Sequence, residues 1–310
     1  MLHAALANKA FRPRFSGHET FPMRYNWLYK VLRQRSGPPP HWMPQAPLER
    51  DMVRYGVGKN MVHSMHHWAE LCSVASLRRD GSGVELTEVG KWLRKRDPHL
   101  EEAGTIWALH WKVATTPQVA TTWYWMFNGY PSPTFDERAA VDSIRSAAAT
   151  FGWRAPSTGT IERDVDCFVR CYTVSRAKKG VLTEDSMECP FAELELVQPT
   201  PERGVFEFQR GPKPTLPDKV FAFALAEFLE GSSASTVSFE HVAHAPGSPG
   251  RVFKLDEASV AERLERLAAK RTGAFRWIDT AGLRQLQRVG DGARPLDVLS
   301  EGERHSVVAE

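Results

Sequence analysis

The stretch PLERDMVRYGVGKNMVHSMHHWAEL, from Pro47 to Leu71, decides the fold predicted for the N-terminal part of the chain. Pro47 and the apolar residues that follow it at helical spacing predict a short amphipathic helix. Gly56-Val57-Gly58 predicts a tight turn that this helix cannot continue through. A second helix is predicted to start at once, over residues 59–71. Its apolar positions recur on one face and form the predicted buried stripe: Met61, Met65, Trp68 and Cys72.

The opposite face of this second helix carries hydrogen-bonding side chains and is predicted to be exposed. It consists of Asn60, His63, Ser64 and His67. Lys59, together with the backbone N–H groups at the start of the helix, is suited to contact a DNA phosphate. Two short extended runs follow, Val74 to Arg78 and Val84 to Thr87, and the Asp-Gly pair between them favours a hairpin. A basic helix end over residues 91–96 closes this unit, whose order is that of a winged helix-turn-helix.

A similar order recurs less clearly near the end of the chain. Helices are predicted from Pro217 to Leu229, from Ser238 to His244 and after the cap Asp256, and a hairpin is predicted between Phe275 and Arg288. The fold class predicted is therefore mainly α with small β-hairpins (α+β), with a winged helix-turn-helix-like N-terminal domain and a second winged-helix-like C-terminal domain. Pro-rich breaks and charge divide the chain into residues 1–97, a helical middle region 98–210, the C-terminal domain 211–290 and a loose tail 291–310.

Charge is unevenly distributed along a chain that is nearly neutral overall. The 310 residues carry a formal net charge of only +3, yet residues 1–35 hold seven Lys or Arg against a single acid, Glu19. Residues 97–151 hold six acids and three bases. This asymmetry favours one basic surface that meets a polyanion such as DNA.

No signal-peptide or membrane-spanning pattern is visible in the sequence, so a cytoplasmic protein without membrane contact is expected. The four cysteines include no Cys-x-x-Cys pair and are expected to be free thiols in a reducing compartment. Aromatic residues crowd the stretch from Thr105 to Asn128, which favours a helical core over a base-stacking platform.

Two motifs of the N-terminal helices suggest nucleotide hydrolysis and zinc binding, but the residues around them argue against both. A nucleotide-hydrolysing phosphate loop has a glycine five residues before its Gly-Lys pair and a Ser or Thr directly after the lysine. For Gly58-Lys59 these two positions hold Val53 and Asn60, so this motif is rejected and no organic cofactor is expected. His63 and His67 have a spacing that can bind zinc, but no Glu occupies the base position of the zinc-protease motif. Contact with DNA, or a plain surface, is favoured for these two residues.

Candidate catalytic residues are acids and one histidine. Aromatic residues bracket the adjacent pair His18 and Glu19, a setting that tunes proton affinities for acid–base work; a structured turn is the competing interpretation. Asp164 and Asp166 could hold a divalent cation, Mg²⁺ or Mn²⁺, for phosphodiester cleavage, although helix capping explains them equally well.

Several strings recur together in one known bacterial family. They are Phe15 to Pro22 (FSGHETFP), Gly56 to Val62 (GVGKNMV), Leu109 to Lys112 (LHWK), Arg163 to Phe168 (RDVDCF), Pro246 to Leu255 (PGSPGRVFKL) and Asp279 to Gln285 (DTAGLRQ). On these strings the chain resembles the SspB-like family, first catalogued as a domain of unknown function. The resemblance implies the DNA-nicking component of a bacterial DNA phosphorothioate modification system that takes part in phage defence. It implies as partners a cysteine desulfurase, an ATPase and a phosphoadenosine-phosphosulfate-reductase-like protein.

Three functional hypotheses follow. In the first, the chain is a nickase: DNA is bound by Lys59, Asn60, His63, Ser64, His67, Arg78, Arg79, Arg251 and Lys254, and cut at a site of His18 and Glu19 with Asp164 and Asp166. In the second, the same basic faces only position DNA and dock the sulfur-transfer enzymes. In the third, the chain is a transcription regulator that reads one promoter sequence. A homodimer is compatible with each hypothesis, and the sequence does not choose.

Overall fold

Two compact units divide between Phe208 and Gln209. The structure is a computed structural model that describes residues 6–33, 43–44, 46–78, 83–154, 156–174, 189–230, 236–269, 275–280, 283–288 and 295–300. The four-part division drawn from the sequence stays a prediction.

The N-terminal unit opens with helices and one small hairpin. These are α1 (Tyr25–Leu32), α2 (Pro47–Tyr55), α3 (Lys59–Leu71), β1 (Ala75–Leu77), β2 (Val84–Leu86) and α4 (Glu88–Arg96). Gly56 ends α2 in the left-handed conformation, with a φ of 65°, and Gly58 precedes the first residue of α3. The two helices predicted around this turn are confirmed. The hairpin is also confirmed, since β1 and β2 pair in antiparallel fashion, with Ala75 opposite Leu86.

The rest of this unit is a helical body with one small sheet. Its elements are α5 (Ala103–Thr115), α6 (Thr121–Asn128), β3 (Thr134–Asp136), α7 (Glu137–Phe151), α8 (Thr158–Tyr172), a 3₁₀ helix (Pro190–Leu194), β4 (Val197–Pro199) and β5 (Val205–Phe208). The strands form an antiparallel sheet in the order β3-β5-β4. Trp107, Trp111 and Trp123 are fully buried, so the aromatic stretch is a helical core, as predicted.

The C-terminal unit repeats the mixture of helices and short strands. It contains α9 (Asp218–Glu230), β6 (Thr236–Ser238), α10 (Phe239–His244), α11 (Pro249–Val252), α12 (Glu257–Ala269), β7 (Phe275–Thr280), β8 (Leu283–Arg288) and α13 (Pro295–Ser300). The strands form an antiparallel sheet in the order β6-β8-β7. Helix α13 packs on α9 and buries Leu299.

Short antiparallel sheets in a mainly helical chain confirm the α+β class predicted from the sequence. Across the residues that the structure describes, no helix has both the length and the apolar character needed to cross a membrane.

Candidate functional site

A loop formed by residues 15–22 carries an unusual backbone. Four of its residues have positive φ angles: Ser16 (62°), Gly17 (102°), Glu19 (49°) and Thr20 (65°). For residues other than glycine such conformations cost roughly 1–3 kcal/mol each, so the surrounding structure must hold them in place. The 15–22 loop is therefore a segment whose shape depends on its anchors.

Asp164 on α8 is the principal anchor. Its Oδ1 accepts hydrogen bonds from the Ser16 backbone N–H at 2.8 Å and from His18 Nε2 at 3.0 Å. Its Oδ2 accepts from the Thr122 hydroxyl of α6 at 2.8 Å. The Asp164 residue is only 2% exposed, so three protein donors stand in for the water that a carboxylate otherwise requires.

Both ring nitrogens and the carbonyl oxygen of His18 have partners within the protein. Its carbonyl accepts from the Ser64 hydroxyl of α3 and from the Phe21 N–H, both at 2.8 Å. The backbone N–H of Thr20 points at Nδ1 from 3.1 Å. His18 is 1% exposed, so its ring is buried and supports the loop from the inside.

The protonation state of His18 is set by opposing effects. Burial lowers its pKa, while the Asp164 carboxylate and the Cys167 sulfur raise it, to about 10 on balance. The Thr20 N–H acts against protonation, because Nδ1 can accept that bond only without a proton. Nε2 carries a proton both in the charged ring and in the neutral tautomer that leaves Nδ1 able to accept, so the bond to Asp164 is present in either form.

His67 of α3 lies beneath the loop and is 3% exposed. It packs so closely on Gly17 that a Cβ at that position would lie 2.7 Å from the His67 Nδ1. Burial, with a contribution from the nearby positive charge of Arg14, lowers the pKa of His67 from 6.5 to about 3. The buried imidazole is therefore neutral.

The depressed pKa of His67 predicts acid destabilisation of the N-terminal unit. Above pH 6.5 neither the folded nor the unfolded chain binds this proton. Between pH 6.5 and about 3 only the unfolded chain binds it, so the free energy of unfolding decreases as the pH is lowered. One group with this shift lowers the free energy of unfolding by roughly 2 kcal/mol at about pH 5. Urea unfolding followed by tryptophan fluorescence, at pH values on both sides of 6.5, measures it. His67→Leu is expected to remove this part of the pH dependence; an unchanged pH dependence in the variant contradicts the prediction.

The exposed tip of the loop is Glu19 and Thr20. The Thr20 carbonyl accepts from Arg170 Nη2 at 2.6 Å, and Arg170 is itself held by Asp166 Oδ2 at 2.6 Å from Nη2 and 3.0 Å from Nε. Of the four catalytic candidates, His18 and Asp164 meet in the core and are shut off from solvent. Asp166 lies at the surface and orients Arg170. Glu19 alone presents its side chain at the exposed tip of the loop.

The polar face of α3 is only partly exposed. Lys59, Asn60 and His63 face solvent, whereas Ser64 and His67 are buried under the 15–22 loop. The prediction of an exposed row is therefore wrong for the last two, because the loop covers that end of the helix. Arg78, directly after β1, is exposed, and Arg79 lies outside the described residues. Arg251 and Lys254 are half-buried in the C-terminal unit.

Several residues that hold the site were missed in the sequence. Thr122 and Arg170 are two of them; only the four-residue spacing from Asp166 to Arg170 on one helix gave a signal. Cys167 is another: burial raises the pKa of its thiol, but hydrogen bonds with Cys171 and with His18 lower it, to about 6 on balance. All four cysteines are buried free thiols. The sequence also predicted free thiols.

The described residues do not assemble a ready metal centre. No group of three or more His, Cys, Asp and Glu side chains in this part of the chain could hold a metal ion. At the loop, both Asp164 oxygens are already engaged by protein donors, and the Asp166 carboxylate is paired with Arg170.

Comparison with known proteins gives two similar crystal structures. One is described as "Magnesium ion-bound SspB crystal structure", with 28% identity, a TM-score of 0.81 and coverage of 95% of this chain and 89% of that chain. The other is described as "SspB crystal structure", with 29% identity, a TM-score of 0.81 and coverage of 95% and 88%. The resemblance to SspB stated from the sequence is thereby confirmed. No curated protein matches the chain. The family described as "Protein of unknown function (DUF4007)" matches residues 15–301, and the chain belongs to this family.

Proposed function

We propose that this chain is the DNA-binding and DNA-nicking component of a bacterial DNA phosphorothioate modification system in phage defence. The likeness to SspB over 95% of the chain supports the system. The observation that carries DNA binding is the exposed group Lys59, Asn60 and His63, which stands on the first turns of α3 directly after a tight turn. Nicking is assigned to the 15–22 loop, next to the same helix.

The DNA-binding part of the proposal is a winged helix. Helices α1, α2 and α3 are followed by the β1–β2 hairpin, and α3 packs against α1, α2 and β1. In a winged helix the third helix enters the major groove and the hairpin contacts the backbone. Lys59 would then meet a phosphate at the N-terminus of α3, Asn60 and His63 would face base edges, and Arg78 would contact the backbone from the hairpin. The C-terminal unit, with α10–α12 and its three-stranded sheet, is proposed as a second winged helix.

The strand-cutting part of the proposal rests on Glu19. Its carboxylate, on a fixed backbone at the exposed tip, would accept a proton from the attacking water as the water oxygen bonds to phosphorus. One ester P–O bond of the strand breaks in the same step, and the leaving oxygen takes a proton from solvent. His18 and Asp164 act as positioning residues: they fix the loop from below without touching DNA. Asp166 has the same role through Arg170 and the Thr20 carbonyl.

Magnesium is named in the description of one SspB structure. The four candidate residues do not fit a magnesium site as they stand, because Asp164 is buried and saturated by three donors and Asp166 is paired with Arg170. A requirement for Mg²⁺ or Mn²⁺ stays a prediction. The proposed partners are the three sulfur-transfer enzymes of such systems and, in a homodimer, a second copy of the chain.

A supercoiled-plasmid assay tests the proposal. The wild-type chain is expected to convert supercoiled plasmid to open circles, and Glu19→Gln is expected to nick about 100-fold more slowly while it still binds DNA. Glu162→Gln, an exposed acid on α8, is the matched control and should nick like the wild type. Reactions with Mg²⁺, with Mn²⁺ and with EDTA measure the cation requirement.

Binding is measured on the same preparations. Lys59→Gln combined with Arg78→Gln should weaken binding to a short duplex about tenfold and reduce the salt slope by about 2, because two phosphate contacts are lost. Arg145→Gln, an exposed base on α7, should leave both unchanged. Binding without nicking in the wild type would favour the non-catalytic scaffold. Tight binding to one promoter sequence alone would favour the regulator. Nicking that survives both Glu19→Gln and EDTA would remove the site assignment.

A further inference from the structure

The ends of α1 and α4 form a basic surface on the N-terminal unit. The two helices are in contact. The Tyr29 ring of α1 stacks on the ring of His99, just after α4, with the ring centroids 4.2 Å apart. The Arg33 guanidinium lies over the same Tyr29 ring, 5.5 Å from its centroid, and Nη1 donates to the Tyr29 hydroxyl at 3.2 Å. We call this surface, with the last-turn residues of α4, the α1/α4 face: Tyr29, Arg33, Arg94, Lys95 and His99.

Positive charge predominates on the α1/α4 face. Its exposed cations are Arg33, Arg94 and Lys95. Glu102 neutralises a different cation, Arg96, at 3.3 Å, and Asp97 is buried with both oxygens bonded to backbone N–H groups. Glu101 is an exposed acid nearby, so the cations still outnumber it. Among the residues that the structure describes, no acid forms an ion pair with Arg94 or Lys95.

The same face lies next to the proposed DNA contact at the start of α3. Lys30 of α1 donates from Nζ to the carbonyl of Tyr55, the last residue of α2, at 2.7 Å. The chain then turns through residues 56–58 and enters α3 at Lys59. Helix α1 also packs against α3. A DNA duplex that meets Lys59 therefore has the end of α1, with Arg33, beside it.

We propose that the α1/α4 face binds the sugar-phosphate backbone of DNA that flanks the segment contacted by α3. A duplex carries about one negative charge per 1.7 Å of its axis, so it presents phosphates to both surfaces at once. The stack on Tyr29 holds the Arg33 guanidinium in place, which lowers the entropy that Arg33 loses when it binds a phosphate. This inference rests on the proposed function, because it needs α3 to lie against DNA. It adds contacts that are independent of base sequence.

Fluorescence anisotropy with a duplex of about 30 base pairs tests the proposal on the full-length chain over a range of salt concentrations. Arg94→Gln combined with Lys95→Gln should weaken binding about tenfold and reduce the salt slope by about 2, because two phosphate contacts are lost. Arg33→Gln alone should reduce the slope by about 0.9. Circular dichroism checks that the variants are folded, since cations in the last turn also stabilise a helix.

The matched control removes the same charge from another helix of this unit. Arg138→Gln combined with Arg145→Gln, two exposed bases of α7, should bind with the affinity and salt slope of the wild type. A loss in this control as large as in the α4 variant would show an effect of net charge alone and would overturn the proposal.

A combination of variants separates this inference from the proposed function. When the α4 pair is added to Lys59→Gln and Arg78→Gln, the two reductions in salt slope should add to about 4, because different phosphates of one duplex are contacted. If the α4 variant binds DNA like the wild type while the Lys59 and Arg78 variant is weakened, this inference alone is wrong, and an acidic protein surface becomes the better occupant. A wild type that binds no duplex refutes the proposed function, and this inference with it.

Discussion

Asp164→Ala is expected to destabilise the N-terminal unit by about 3–5 kcal/mol. The substitution removes the acceptor of three donors in a region that water does not reach: the Ser16 N–H, the His18 Nε2–H and the Thr122 hydroxyl. Each donor left without a partner bears its own desolvation cost. The strained 15–22 loop also loses its main anchor, so the loss should be cooperative.

Asp166→Ala is the matched control for this experiment. It lies two residues away on the same helix, but its pair with Arg170 is about half exposed, and exposed pairs contribute roughly 0–1 kcal/mol. Nine of the ten tryptophans lie before residue 209, so urea unfolding followed by tryptophan fluorescence reports mainly on this unit. Similar losses for the two variants would show that Asp164 is not the anchor described.

Gly17→Ala is expected to cost about 2–4 kcal/mol. Alanine must adopt a φ of 102°, and its Cβ would stand 2.7 Å from Nδ1 and 2.9 Å from Cε1 of the His67 ring. The ring is enclosed in the core and has little room to move away. The cost therefore has two parts, the backbone strain of alanine and the collision with the ring.

A double-mutant cycle separates the two parts. In a His67→Ala background the collision is gone, so Gly17→Ala should cost only about 1–2 kcal/mol there. Gly58→Ala is the control, because no atom lies within 4 Å of its added Cβ and its φ of −72° suits alanine. Equal costs of Gly17→Ala in both backgrounds would show that the ring plays no part.

The local elements around the turn at Gly56 could be predicted from the sequence. Helical spacing after Pro47, the glycines at 56 and 58 and the apolar stripe through Trp68 act over a few residues, and α2 and α3 have the expected bounds. The exposure of a side chain on α3 could be predicted only where no segment from a distant part of the sequence covers the helix. Ser64 and His67 have a polar, surface-like pattern, yet a loop some 50 residues earlier in the chain covers them.

The candidate site shows the same limit more strongly. The sequence singled out His18 and Asp164, and the fold does bring them within 3.0 Å, although 146 residues separate them. No local pattern in the sequence indicates that these two residues meet. Thr122 gave no signal either, because a hydrogen bond between two helices that are distant in the sequence leaves no periodic pattern. What the sequence could not tell is which of these groups faces solvent, because burial is a property of the assembled unit.

The left-handed residues of the 15–22 loop connect catalysis, as proposed, to the integrity of the whole helical body. Ser64 of α3 and Asp164 of α8 bond to the loop, and Thr122 of α6 holds Asp164, so the tip bearing Glu19 has its working shape only while these three helices keep their positions. A random screen for inactive variants should accordingly recover interior positions as readily as DNA contacts. Loss of activity alone then does not distinguish a catalytic residue from a structural one. An inactive variant that keeps its affinity for DNA indicates a catalytic residue.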